Sequence, residues 1–241
     1  MIAAAFVSGN QERQGGLVDR VIESLKLQIR ANGLAPGDPL PSENALSTEL
    51  GVSRAVVREA LRSMASLRLI DIGTGRRARV SVMDASALAL VLDHVVQTNQ
   101  ITIQQILDVR RTVELRTAGL AALRRSEREA AEIVRLAGAM RIDFRDAERV
   151  MEHDIAFHEA IAGASKNPLF ALIVSSFHVV TRQTWRIGWL ARPTDADRLD
   201  NVSLHEAIAA AIAKGDFGAA EARMAEHFDN TVKVLLSAGI T

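Results

Sequence analysis

Cysteine is absent from this 241-residue chain. Its absence excludes a disulfide scaffold, a thiolate zinc site and a cysteine nucleophile. Turn formers are scarce, with 5 Pro and 15 Gly, while Ala, Leu, Arg and Glu abound. That balance favours helices over a many-stranded β fold. No apolar run approaches bilayer length, so no membrane-spanning helix is expected. The opening MIAAAFVSGNQERQGG has no basic stretch ahead of its apolar residues. This argues against a secretory leader and for a cytoplasmic protein. Net charge is missing too, because 29 Lys plus Arg balance 29 Asp plus Glu. What is present is 48% hydrophobic residues, ample for a core and too many for a disordered chain. The length suits one large domain, or a small domain joined to a larger one.

The zero net charge hides a division. Within residues 51–82, Arg54, Arg58, Arg62, Arg68, Arg76, Arg77 and Arg79 face only Glu59 and Asp71. All 6 His lie after residue 84. The two parts also differ in pattern. Leu17, Val18, Ile22, Leu25 and Ile29 recur as one face of an amphipathic helix that ends near Asn32-Gly33. The segment 34–41 holds three of the 5 prolines and reads as an extended connector. Ser42 can cap a short helix that stops at Gly51, and Ser53 a third helix from Arg54 to about Arg68. Leu69–Ile72 and Arg79–Val82 read as two strands joined by a Gly73/Gly75 hairpin. Beyond Asp84 the pattern is helical, with breaks that leave six or seven helices and the stretch 192–200 as the main loop.

On the third helix, Val56, Val57, Ala60, Leu61 and Met64 share one side, and Arg54, Arg58 and Arg62 form a row on the next. A capped helix of this kind, after a short helix and a glycine turn, suits a helix-turn-helix entering the major groove. The hairpin with Arg76, Arg77 and Arg79 would be a wing. A solvated basic helix in an ordinary bundle has the same pattern. The words of the sequence add to this. Leu40-Pro-Ser-Glu43, Leu50-Gly-Val-Ser-Arg54, Val57-Arg-Glu-Ala-Leu-Arg62 and Leu69-Ile-Asp71 resemble the winged-helix reading head of the GntR family of bacterial transcription regulators, over roughly residues 17–82. The resemblance implies that Arg54 and Arg58 touch operator DNA, with Gly75 at the wing tip. Ser42, Glu43, Asn44, Ser53, Ala55, Arg62, Arg76 and Arg77 complete the expected DNA surface. Asn44 departs from the pattern, since the family usually has Arg after Pro-Ser-Glu.

In the second part, Asp154 and His158 lie one helical turn apart, and His205 and His227 fall in two further helical runs. Converging in a bundle, they would hold a divalent ion, and without thiolates the site would keep open positions. On spacing alone the commoner reading is that these are surface or satisfied core histidines. Here too there is a resemblance. Arg110-x-x-Val-Glu114, Asp154-x-x-Phe-His158, Ala164-Ser-Lys-Asn167, His205-Glu-Ala-Ile208 and Met224-Ala-Glu-His227 resemble the FCD effector domain of the FadR-like GntR branch, over about 103–236. The resemblance implies that Asp154, His158, His205 and His227 bind one divalent metal ion per subunit, Zn first, with Ni, Mn or Fe as alternatives. It disfavours an acyl-CoA effector. It also implies a small carboxylate effector at the metal, met by Arg110, with Asn167 near its hydroxyls. Arg110 could instead pair with Glu114, one turn away. Trp185, Trp189, Arg182 and Arg186 would shape a cavity or pack, His153 would be solvated, and His178 has no assigned role.

The expected protein is therefore mainly α. It has a winged helix-turn-helix at 10–83, a linker and first helix at 84–102, and an all-α effector- and metal-binding domain at 103–238. It would be a homodimer that binds double-stranded operator DNA, touches no membrane and acts as a repressor answering to an organic or sugar acid. Two rivals remain: a metal-dependent hydrolase using the Asp/His₃ set, and an effector-blind architectural DNA binder.

Overall fold

The structure, a computed structural model, describes the backbone over residues 3–240 and side chains from residue 16 onward. The expectation of no leader rests on side chains ahead of these, outside the described residues. Among the described residues there are eleven helices and one two-stranded sheet. The chain divides into two compact units, Met1–Ala87 and Leu88–Thr241.

The first unit holds α1 (Ala3–Ala31), α2 (Glu43–Leu50), α3 (Arg54–Ser66), β1 (Ile70–Asp71) and β2 (Arg79–Val80). Helix α2 starts where Ser42 Oγ accepts the Ala45 N–H at 3.2 Å. It stops at Gly51, whose φ of 64° is a left-handed conformation costly for any side chain. Ser53 caps α3 in the same way, through the Val56 N–H at 3.3 Å. Val56, Val57, Ala60, Leu61 and Met64 of α3 bury against Val18, Val21 and Leu25 of α1, closing a small core with Leu40, Leu46 and Ile70. Each large aliphatic group there contributes roughly 1.5–3 kcal/mol. In the sheet Ile70 pairs with Val80 and Asp71 with Arg79. The proline-rich connector runs beside β2, with the Leu40 N–H on Ala78 O at 2.8 Å.

The second unit is built from α4 (Ser86–Gln97), which spans the division, α5 (Ile103–Arg124), α6 (Glu127–Ile142), α7 (Ala147–Ala164), α8 (Pro168–Ser176), α9 (His178–Leu190), α10 (Asp195–Ala213) and α11 (Phe217–Ser237). That is eight helices, not six or seven. The extra break is at Phe177, where backbone angles stay α-like (φ −77°, ψ −7°) and the N–H turns to the Val174 and Ser175 carbonyls. No glycine or proline marks such a break. The stretch 192–200 is also not a loop throughout. Thr194 and Asp197 exchange backbone contacts in a capping box, so α10 begins at Asp195, and His205 lies mid-helix. Helix α5 forms the centre, packed on α7, α10 and most extensively α11. Gly119 permits that last contact, because a Cβ there would lie 2.7 Å from the Phe217 ring.

Candidate functional site

Helix α3 presents its polar side outward. Arg54, Ala55, Arg58 and Arg62 are exposed, as are Asn44, Ser53, Gly75, Arg76 and Arg77. Ser42, Glu43, Asn44, Arg54, Arg58, Arg62, Gly75, Arg76 and Arg77 line one concave surface between α3 and the hairpin. Gly75 has a φ of 69° at the hairpin tip. Glu43 is the acid among these cations. Its carboxylate accepts from Arg58 Nη2 at 3.0 Å and lies 4.0 Å from Arg54. The Arg58 hydrogen bond holds the Glu43 carboxyl below its ordinary pKa. Arg79, expected with the wing, is committed to the Gly37 carbonyl at 2.6 Å.

In the second unit Asp154 and His158 of α7, His205 of α10 and His227 of α11 are all buried. One ring nitrogen from each histidine lies within 4.8 Å of the others. His205 Nδ1 sits 2.8 Å from the Asn201 carbonyl, a contact only an N–H can satisfy. Its Nε2 faces Asp154 Oδ1 at 2.9 Å. His158 Nδ1 abuts Glu114 Oε2 while Nε2 lies 3.8 Å from Asp154, with no well-aligned hydrogen bond at either nitrogen. His227 Nδ1 is buried without a partner among the described residues. An orphaned polar atom of this kind costs about 1–3 kcal/mol unless something fills the gap.

The electrostatics agree with that gap. Burial, then the charges of His205 and His158, push His227 well below its ordinary value, so it is neutral and ready to ligate. Burial alone would raise Asp154, but its His205 hydrogen bond and the neighbouring imidazoles hold it low. For His158 burial is outweighed by Glu114, which raises it. The ligand atoms that converge are those of the three histidines, and Asp154 joins them through His205 at 2.9 Å; imidazoles with a carboxylate beside them suit a divalent ion of the Zn, Ni, Mn or Fe type.

A cavity of about 70 Å³ adjoins this cluster, with Asp154 and His227 in its wall. Arg110 also lines it and is at the same time paired with Glu114 at 2.8 Å and with Thr181 Oγ1 at 2.9 Å. The two readings of Arg110 are thus compatible. Glu114 joins them, touching Arg110 through one oxygen and His158 through the other. Asn167 is not brought to the cavity; it caps α8 through the Leu169 N–H at 3.1 Å. Trp185 and Trp189 line the cavity, whereas Arg182 pairs with Glu152 and Arg186 is exposed. His153 is half-buried against Asp143 at 3.0 Å, so it is not solvated. His178 meets the Ser175 carbonyl at 2.7 Å. Sequence reasoning missed Arg192, Arg198, Asn201 and Thr231 in the cavity wall. A signal existed for two of these, since Asn201 and Thr231 lie one helical turn from His205 and His227.

A separate small head with an arginine-lined groove, joined to a larger helical domain, defines a DNA-binding transcription regulator. The matches with known proteins agree. Residues 17–80 match the bacterial regulatory proteins of the gntR family, and residues 105–230 match the FCD domain. The chain is 33% identical over 211 residues to the HTH-type transcriptional regulator LutR of Bacillus subtilis, covering 86% of this chain and 95% of that protein. It is 30% identical over 209 residues to the galactonate operon transcriptional repressor of Escherichia coli, covering 84% and 90%. A solved structure of a Streptococcus agalactiae GntR protein shares the fold, with a TM-score of 0.60, 23% identity and 90% and 99% coverage. The chain belongs to the GntR family and carries an FCD domain. Like these relatives it is a regulator, not an enzyme. No helix of the described residues is long and apolar enough to cross a membrane.

Proposed function

We propose that this regulator is a homodimeric repressor whose operator affinity is changed by a small organic or sugar acid bound beside a divalent ion. Asp154, His158, His205 and His227 would hold the ion, Zn before Ni, Mn or Fe. The observation that carries this reading is the convergence of three buried imidazoles within 4.8 Å, one of which, His227, stands in the wall of a cavity that Arg110 also lines. The bound ion would supply open coordination positions that accept a carboxylate oxygen. The chain's own residues do the rest. Asn201 and Glu114 orient His205 and His158, as outer partners of metal-ligating histidines do. Arg110 offers a planar fork to the acid, held in place by Glu114 and Thr181. Trp185, Trp189 and Phe228 exclude water around it. The name of the galactonate operon repressor supports a sugar acid as one class to test. Dimerisation follows from operator geometry, because one reading head spans a single half-site and a twofold protein matches a palindrome.

The test begins with duplexes selected from a random pool by the full-length, zinc-loaded protein. Operator affinity is then measured with and without lactate, malate, D-galactonate and related acids. At least one acid should weaken binding by roughly 5–150-fold, the usual range of allosteric coupling. His205→Ala should keep operator binding and lose the response. Acids that act equally on wild type and His205→Ala, or a complete lack of response, would reject the proposal.

A further inference from the structure

The cavity carries a second pole that the metal and Arg110 do not use. Arg192, the first residue after α9 and its Ala191 cap, is half-buried in the cavity wall. Its Nη1 donates to the Gly188 carbonyl at 3.0 Å. No carboxylate lies within 4.0 Å of it among the described residues, unlike the other two arginines of the wall. Arg110 is neutralised by Glu114 at 2.8 Å, and Arg198 lies 3.9 Å from Asp195 and stacks on Trp189. Burial lowers the Arg192 pKa, and the charges of Asp154 and Asp197 offset this only in part. The cation is thus partly stripped of water without gaining a full counter-ion, an arrangement that costs free energy unless a ligand completes it.

Charge accounting gives the ligand class. With a divalent ion against Asp154 and with Arg192 unmatched, the walls hold two positive charges in excess. We infer that the effector is a short dicarboxylate, one carboxylate at the metal and Arg110 and the second on Arg192. This rests on the proposed acid-sensing site and narrows it. Because Arg192 lies in the short segment between α9 and α10, its engagement would also tie these two helices through one ligand.

Malate and 3-hydroxybutyrate isolate the claim, since they differ by a carboxylate in place of a methyl group. Each is titrated calorimetrically into zinc-loaded wild type, Arg192→Gln and Arg192→Lys, with melting temperature and metal content measured on each protein. Malate should bind wild type about tenfold or more tighter than 3-hydroxybutyrate, the gain of a charge-assisted pair. Arg192→Gln should erase that preference while leaving 3-hydroxybutyrate affinity and metal content unchanged. Arg192→Lys should retain part of it and guards against a mere packing defect. Equal binding of the two acids to wild type, tighter binding of D-galactonate than of malate, or an unchanged preference in Arg192→Gln would overturn the dicarboxylate assignment and leave the acid-sensing site standing. Failure of every acid to bind metal-loaded wild type would instead remove the site on which the inference rests.

Discussion

Arg54 and Arg58 meet solvent while leaning on Glu43, at 4.0 Å and 3.0 Å. An exposed pair of this kind is screened by solvent and adds little, so DNA can take over both arginines cheaply. Arg54→Ala should cost about 1–3 kcal/mol in operator affinity, with an unchanged melting temperature, if the guanidinium reads a guanine. Wild-type affinity in that variant would remove α3 from the interface. Asn44 stands exposed at the rim of the same groove. Asn44→Arg should steepen the salt dependence of binding by about one counterion, as an added phosphate contact does, and an unchanged slope would place residue 44 off the DNA backbone. In the second unit Glu114 is the residue on which two functions meet. Glu114→Ala should weaken metal binding by about 10–100-fold and lower the melting temperature, because it frees His158 and strands the buried Arg110. Competition with a chelating dye measures the first effect, and an unshifted affinity would make Glu114 purely structural. The histidines and Asp154 were legible through the family resemblance, since residue type and spacing alone leave satisfied core histidines open. The second contact of Glu114 was not, because it depends on how α5 and α7 pack. Arg192 was hidden for the same reason, in a stretch whose Pro and Asp read as a loop.

Among the elements, local chemistry was most legible where a cap or a glycine announces a boundary. Ser42, Gly51 and Ser53 bracket α2 and α3 as their side chains require. The break at Phe177 has no such residue, and the Thr194 box uses Asp197, a residue that also favours turns. Helix α6 offers a test of capping itself. Ser126 and Glu129 exchange contacts with each other's backbone N–H, and Lys166 bonds the same Glu129 carboxylate. The Lys166 bond first, then those from Ser126, lower the Glu129 pKa from 4.5 to about 2. A depressed carboxylate stabilises the fold above its unfolded value. That contribution is fully present above pH 4.5 and drains away as pH falls toward about 2. Glu129→Gln keeps the shape of the cap and removes its charge, so it should cost under about 1 kcal/mol near pH 7. Urea unfolding at pH 7 and pH 3 reads the difference, which should shrink at the lower pH. A gap that widens on acidification would contradict the assignment.

At the scale of the whole molecule, the change from an arginine-rich to a histidine-rich sequence marks a physical division. The reading head has its own buried core around Leu25, Leu46, Val57 and Met64, and it contains none of the four proposed metal ligands. Metal removal should therefore lower the melting temperature of the second unit while operator binding survives. A ligand at about 100 times its Kd stabilises by about 2.7 kcal/mol, so the shift should be readily seen by calorimetry. Uptake should also weaken as pH falls, since imidazole ligates only when neutral and the neighbouring Glu114 raises the His158 pKa. The measurement that bears most directly on the account is elemental analysis of the purified protein, fresh and after dialysis against zinc. About one divalent ion per chain in wild type, with a marked loss in His205→Ala, is the result expected of the Asp154, His158, His205 and His227 site. A wild-type protein that carries no first-row metal and takes none up on titration would contradict it.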